Sequence, residues 1–403
     1  MMADLDISKI IDEICELSKD EKGEITRFPF SDPWLRAQMY LKELFEKSGF
    51  DTYFDCAGNL HGRMGAPGDT ILTGSHADTV RNGGKYDGLY GVVAAAAAVS
   101  RLYKKHGMPK KALEVVAFSE EEGTRFPFNF WGSKALIGDI EWKKIKNLKD
   151  KEGISIVEAL ENQGFSYSEG CAKKDDIKAF VEIHIEQGGV LEAKNMEIGV
   201  VTGIVGYKKF NVEILGEANH AGTTPMGFRK DAGFCAGLIV SELIKKAREQ
   251  GDPLVATIGQ IEFRPNLANV VPAYAQFSLD MRHTDGDALN RFQEEALEII
   301  KKITSIEKCT FNFTAIFDDK PVYMDKNIMD VITEACENQG VKHMKIHSGA
   351  GHDSQILARI APVGMVFVPS KNGVSHNPRE FTEPELLEKG ACVLEETLYK
   401  LAY

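Results

Sequence analysis

Residues Gly74 to Gly91 read GSHADTVRNGGKYDGLYG, and their flanks decide the fold. Before them, Thr70-Ile71-Leu72-Thr73 reads as a short buried strand; after them, VVAAAAAVSRLY at 92–103 reads as a buried helix. The polar residues between therefore sit where a strand ends and a helix begins, the place where open α/β sheets put their sites. They include His76, Asp78 and, past a Gly-Gly turn, Asp87. His-x-Asp is a pattern in which a carboxylate fixes the tautomer of a metal-bound imidazole. Asp78 is thus expected behind His76, which leaves Asp87 free to be a ligand.

Taken alone, a His or an Asp is ordinarily a solvated or capping residue, so the reading depends on other strands delivering ligands to the same edge. Three do. ALEVVAF at 112–118 runs into Ser119-Glu120-Glu121-Glu122-Gly123, and it is too apolar on both faces for an edge strand. AFVEIHI at 179–185 ends in His184-Ile185-Glu186-Gln187-Gly188. PVGMVFV at 362–368 leads through a polar segment to His376. Phe50–Phe54 and Asn59–Arg63 read as a further strand pair, and 5–20 and 33–49 as amphipathic helices.

Residues 208–317 follow a different pattern. Lys208–Leu215, Val255–Phe263, Ala273–Arg282 and Thr310–Phe317 read as strands, with helices over 230–250 and 287–306. That order, β-α-β-β-α-β, is the ferredoxin-like split unit. The expected fold is α/β: a mixed-sheet catalytic domain over 1–207 and 318–403, interrupted by an inserted α+β domain over 208–317.

The length of 403 residues suits two domains or more. A net charge of −12 argues against nucleic acid or an anionic membrane as partner, and an anionic substrate would need a local Arg. Seven cysteines, an odd number, show neither CxxC metal spacing nor a disulfide framework, which fits a reducing compartment. The N-terminus lacks an apolar h-region, and the longest clean apolar run, 92–99, is too short to span a bilayer. A cytoplasmic protein is expected.

Histidines with carboxylates form a nitrogen and oxygen donor set that suits Zn, Mn, Co or Ni rather than Ca or Mg. A shared Asp87 can bridge two ions about 3.5–4 Å apart. His76 and His184 would complete one, and Glu122 and His376 the other. Glu121 beside them would act as general base on an acidified water, which describes a hydrolase. Spacing alone leaves the register of the three-Glu run open, with Glu120 read as a solvated neighbour.

The motifs GSHADTV, GGKYDG, EEGTRF, EIHIEQG, IGVV, NHAGTTPM, NVVP, DMRHTD, SGAGHD and NGVSHNPRE together resemble the di-metal hydrolases related to aminoacylase and carboxypeptidase. The similar branch holds N-carbamoyl-L-amino acid hydrolases, β-ureidopropionases and allantoate amidohydrolases, and the resemblance spans nearly the whole chain. It implies two divalent ions per subunit, bound by His76, Asp87, Glu122, His184 and His376. It implies Glu121 as base, Asp78 and His220 as further catalytic residues, and Gln187, His220, Asn269 and Arg282 as substrate contacts. It also makes the insertion a lid through which a homodimer forms. RFPFNFWGSK and DMRHTD look like the allantoate amidohydrolases, which implies conversion of allantoate to ureidoglycine with release of ammonia and carbon dioxide. An N-carbamoyl-L-amino acid hydrolase is the alternative, and a dipeptidase or aminoacylase a third reading. His352 and Asp353 are read as pocket-lining or bracing residues.

Overall fold

The computed structural model describes residues 5–403. In chain order the first strands are β1 (Asp51–Phe54), β2 (Leu60–Met64), β3 (Thr70–His76), β4 (Ala112–Phe118), β5 (Ile177–Ile185) and β6 (Ile198–Ile204). Next come β7 (Gly206–Leu215), β8 (Asn219–His220), β9 (Val255–Thr257), β10 (Ile261–Arg264), β11 (Val270–Val271), β12 (Tyr274–His283) and β13 (Thr310–Asp319). The last are β14 (Val322–Tyr323), β15 (His343–Ser348) and β16 (Val363–Val368). The chain forms two compact units, one from residues 1–202 and 323–403 and the other from residues 203–322.

The first unit is built on a mixed sheet ordered β1-β2-β4-β3-β5-β16-β6-β14, with β15 also on β6. Its centre, β4-β3-β5-β16, is parallel throughout. These strands are almost wholly buried, as their unbroken apolar runs require for a sheet covered on both faces. The helix Leu89–His106 follows β3. It is apolar all round in its first three turns, and every residue from Leu89 to Ser100 is buried, which is the pattern of a core helix. Lys104, Lys105 and His106 close its last turn, where positive charge complements the helix dipole. The terminal helix Pro384–Ala402 and the helix Lys326–Asn338, neither evident from the motifs, pack into the same core. A second cluster in this unit gathers Phe30, Trp34, Phe126, Trp131, Ile156 and Tyr167.

The second unit is an antiparallel sheet ordered β10-β12-β7-β13, with β9 also on β12. The helices Ala232–Gln250 and Gly286–Ile306 share its apolar core. This is the ferredoxin-like arrangement. The expected strand over 255–263 is not continuous. Thr257 pairs with Asp280 but Ile261 pairs with Phe277, four steps on the edge against three on β12. The extra residue is a bulge at the sheet edge, pinned where Gln260 N–H donates to Ser278 Oγ at 3.1 Å. Edge bulges of this kind blunt pairing with another strand.

Cys56 and Cys171 are joined in a disulfide across 115 residues, a pairing that the reading of the cysteines as lacking a disulfide framework did not include. Partners so far apart leave no local spacing to detect. No helix among the described residues is long and apolar enough to cross a membrane.

Candidate active site

Because the four central strands run parallel, their carboxyl ends meet at one edge. β3 ends at His76, β4 stops two residues before Glu120, β5 carries His184 next to its end, and β16 ends eight residues before His376. Asp87 lies just before the helix Leu89–His106. Gly88 makes the tight entry possible: its φ is +67°, and a Cβ there would come within 2.5 Å of the His76 ring.

Asp87 is the centre of the cluster. Its Oδ1 lies 3.5 Å from His76 Nε2 and 3.3 Å from His184 Nε2, and its Oδ2 lies 3.0 Å from His376 Nε2. Glu122 Oε1 approaches the same His376 nitrogen at 3.3 Å. His76, Asp87 and His184 form one group of potential ligand atoms, and Asp87, Glu122 and His376 another, each spanning no more than 4.8 Å. A third group joins His76, Glu121 and Glu122.

The imidazoles are oriented by backbone. His76 Nδ1 lies 3.1 Å from the Asp78 carbonyl, and His184 Nδ1 lies 2.9 Å from its neighbour's, Ile185. Each Nδ1–H donates there, which leaves Nε2 for the centre. The Asp78 carboxylate is therefore not the group that sets the His76 tautomer, as its Oδ1 is 3.7 Å away. It accepts instead from the backbone N–H groups of Glu121 and Glu122, each at 3.2 Å, and so fixes the acidic loop.

Glu120 is not a solvated neighbour. It is fully buried, with φ at +53°, and its Oε1 accepts from the N–H groups of Arg125 and Phe126. A carboxylate is needed there because the turn over 120–126 exposes donors with no strand to pair them. Gln187 and His376 also hold positive φ, at +57° and +52°. Such strain gathers at functional sites.

Glu380 escaped the sequence reading. It is buried and accepts from Tyr86 N at 2.8 Å, Asp87 N at 3.1 Å and Ser375 Oγ at 2.8 Å. It thus joins the Asp87 loop to the His376 loop. Its one sequence signal was its position four residues beyond His376. His352 braces rather than ligates: its ring meets that of His184 edge-on at 4.6 Å, and its Nε2 lies 2.9 Å from Ser348 Oγ.

Burial alone would raise the Asp87 carboxyl, but hydrogen bonds with His184, His376 and His76 hold it well below the usual range. The imidazoles move the other way. Burial would depress His76 and His184, yet Glu121 and Asp87 raise the first and Asp87 raises the second. His376, bonded to Asp87 and Glu122, is raised to about 11. Burial pushes Glu121 well above the usual carboxylate range, against the opposing His76 and with help from Glu122. Burial also raises Asp78 and Glu120, and Asp353 goes up to about 8 through burial and the nearby Glu182. Burial and His184 push His352 down. The site therefore concentrates buried carboxyl groups, whose charged forms a cation among Asp87, Glu122 and the imidazoles would favour. Nitrogen and oxygen donors without cysteine suit a first-row divalent ion.

Gln187 donates from Nε2 to Asp87 Oδ2 at 3.0 Å, and its buried Oε1 has no partner among the described residues. The other expected substrate contacts belong to the second unit. His220 and Asn269 are neighbours there: β8 pairs with β11, and Ala221 N–H donates to the Asn269 carbonyl at 3.0 Å. His220 is exposed, and its Nδ1 accepts from the N–H groups of Gly222 and Thr223. Arg282, on β12, donates to Asp280 at 3.2 Å and lies 4.7 Å over the Tyr207 ring.

Comparison with known proteins agrees with this architecture. Residues 72–400 match the model of peptidase family M20/M25/M40. The allantoate amidohydrolase of Escherichia coli (strain K12) is 42% identical over 401 residues, covering 98% of each chain. That of Bacillus subtilis (strain 168) is 40% identical over 405 residues, covering 98% of this chain and 97% of its own. The crystal structure of an amidase of the hydantoinase/carbamoylase family from Burkholderia multivorans superposes with a TM-score of 0.92 at 32% identity, covering 99% of this chain and 98% of its own. A sheet edge carrying His76, Asp87, Glu122, His184 and His376, within a fold shared over the full length, places the chain in peptidase family M20/M25/M40.

Proposed function

We propose that the chain is a metal-dependent hydrolase of a ureido C–N bond, acting on allantoate and yielding ureidoglycine, ammonia and carbon dioxide. The observation that carries this reading is Asp87, within 3.5 Å of three imidazole nitrogens, with the Glu121 carboxylate 3.9 Å from one of the same imidazoles. The names of the two bacterial relatives supply the substrate. His76, His184 and Asp87 would hold one ion, and Asp87, Glu122 and His376 a second, with Mn or Zn the leading candidates and Co or Ni compatible. Bound there, such ions acidify a water and polarise a carbonyl.

The protein's own groups do the rest. Glu121 takes the proton of the attacking water and returns it to the departing nitrogen. Asp78 holds that loop in place through two backbone N–H groups. Gln187 Oε1 can accept from a ureido N–H. Arg282 can grip the substrate carboxylate in a two-bond fork, with Asn269 beside His220 as a further polar contact. His220 would donate to the oxyanion of the tetrahedral intermediate. The inserted unit would serve as lid and as the surface through which two copies pair. The five free cysteines fit a cytoplasmic setting, whereas the Cys56–Cys171 bond favours oxidising surroundings.

An N-carbamoyl-L-amino acid substrate is the second reading, favoured by the hydantoinase/carbamoylase name of the similar structure. Ammonia release from allantoate, several N-carbamoyl-L-amino acids and dipeptides, each with Mn or Zn, separates the possibilities. Allantoate is expected to give the highest kcat/KM, and chelation should abolish activity. Preference for a carbamoyl amino acid would shift the assignment to the second reading. Full activity in protein verified metal-free would overturn both.

A further inference from the structure

The backbone ladder between β3 and β5 stops early. Its last pair is Thr73 with Val181, although β3 stays on β4 as far as His76 and β5 stays on β16 as far as Ile185. Carried on by three residues, the same register would set His76 opposite His184. Over that interval the two strands that deliver these imidazoles are not joined through backbone.

A side chain joins them instead. Glu182, fully buried on β5, accepts from Ser75 Oγ at 2.7 Å, from Ser354 N at 3.1 Å and from Ser354 Oγ at 2.7 Å. Ser75 immediately precedes His76. Glu182 stands two residues before His184. Ser354 follows two residues after His352, whose ring packs against that of His184. One carboxylate thus ties together the three segments that carry or brace the two imidazoles. All three of these donors are uncharged, and a polar group buried this deeply is costly unless it is hydrogen-bonded. A join needed only for packing would be served by apolar residues. A hydrogen-bonded join two residues from an expected ligand suits a site that must hold two imidazoles at a set spacing.

We propose that Glu182 is a positioning residue that fixes the separation of His76 and His184, and so sets the affinity of that half of the centre for a first-row divalent cation. The proposal rests on the metal-dependent reading above.

The test is titration of the metal-stripped, full-length protein with Mn²⁺ or Zn²⁺ against a competing chelator, without substrate. Wild type should bind; if it does not, the metal-dependent reading fails and this proposal with it. Glu182→Ala should weaken one of the bound ions about 10–100-fold, the usual effect of losing a partner behind a ligand, and leave the other unchanged. Ser75→Ala, which removes a single hydroxyl, should weaken the same ion by less and keeps the test alive if Glu182→Ala does not fold. Glu182→Gln still accepts from the Ser354 N–H and can donate to Ser75, so it should recover most of the affinity. Unchanged binding in both alanine variants, with wild type binding normally, overturns the proposal. So does a Glu182→Gln variant as weak as Glu182→Ala.

Discussion

Glu121 is held by its backbone rather than by its side chain. Its N–H bonds Asp78, its carbonyl accepts from Phe130 N–H, and its carboxylate is left facing His76. Glu121→Gln should therefore keep fold and metal content while lowering kcat by about 10²–10⁴, the span of general acid–base catalysis. Elemental analysis beside steady-state kinetics checks it, and a near-normal kcat would remove the role. His61 carries a different prediction. It is fully buried between Asp55 and Glu114, 3.4 and 2.8 Å away. Burial opposes its charge, but the two carboxylates raise it to about 9. Glu114, despite burial, is lowered to about 2 by His61, Lys174 and Arg63. A raised imidazole stabilises fully below its unfolded value near 6.5, and that stabilisation is lost as pH rises through about 9. The Glu114 contribution is present above about 4.5 and lost as pH falls toward 2. Trp34, Trp131 and Trp142 are the only tryptophans and all lie in the first unit, so their fluorescence follows its urea unfolding. The midpoint should fall between pH 7 and 9.5 in wild type and lose that slope in His61→Asn. The residues that gather around Asp87 were legible because each lies at or beyond the carboxyl end of a central strand, or just before the helix that follows β3. Glu182, Glu380 and His61 were not, because a buried partner is defined by what folds onto it and not by its sequence neighbours.

Helix Leu89–His106 approaches β5 with nothing between them at Gly91. A Cβ there would lie 2.4 Å from the Ile183 carbonyl oxygen and 2.7 Å from Ser75 Cβ. Gly91→Val should push the helix off the sheet, cost about 1–3 kcal/mol or more and lower metal content, because Ser75 adjoins His76. Gly237 is the control. It also lies within a helix, Ala232–Gln250, but meets nothing within 4 Å. Gly237→Ala should stabilise the second unit by about 0.4–1 kcal/mol through the unfolded chain. Thermal melts of both variants decide the pair. Elements with one strong period or an unbroken apolar run were readable in advance, as with Ala112–Phe118, whose bounds match those of β4. The edge strand over 255–263 was not, since a bulge is set by its partner, here Ser278. The two-residue strands β8 and β11 are equally silent in sequence, being held by a single pairing.

At the scale of the whole molecule, the exposed His220 is proposed to serve the metal centre of a second copy. Mixing His220→Ala with Glu121→Gln under conditions of subunit exchange should restore activity that neither parent has, because one site per mixed dimer then keeps both groups. No recovery in verified mixed dimers would place His220 in its own chain's site. The order of ligands along the chain has another consequence. Four of the five expected metal ligands precede the inserted unit, and His376 follows it. The strand leading to His376, β16, lies between β5 and β6, both made long before it. A ribosome therefore completes this sheet from the middle, with β5 and β6 waiting for a strand that emerges after the whole second unit. Until then the nascent chain lacks both its central strand and its last imidazole, so it can neither close its core nor hold a complete centre. Completion of the group formed by Asp87, Glu122 and His376 is thereby deferred until the chain after the second unit has emerged, by topology alone.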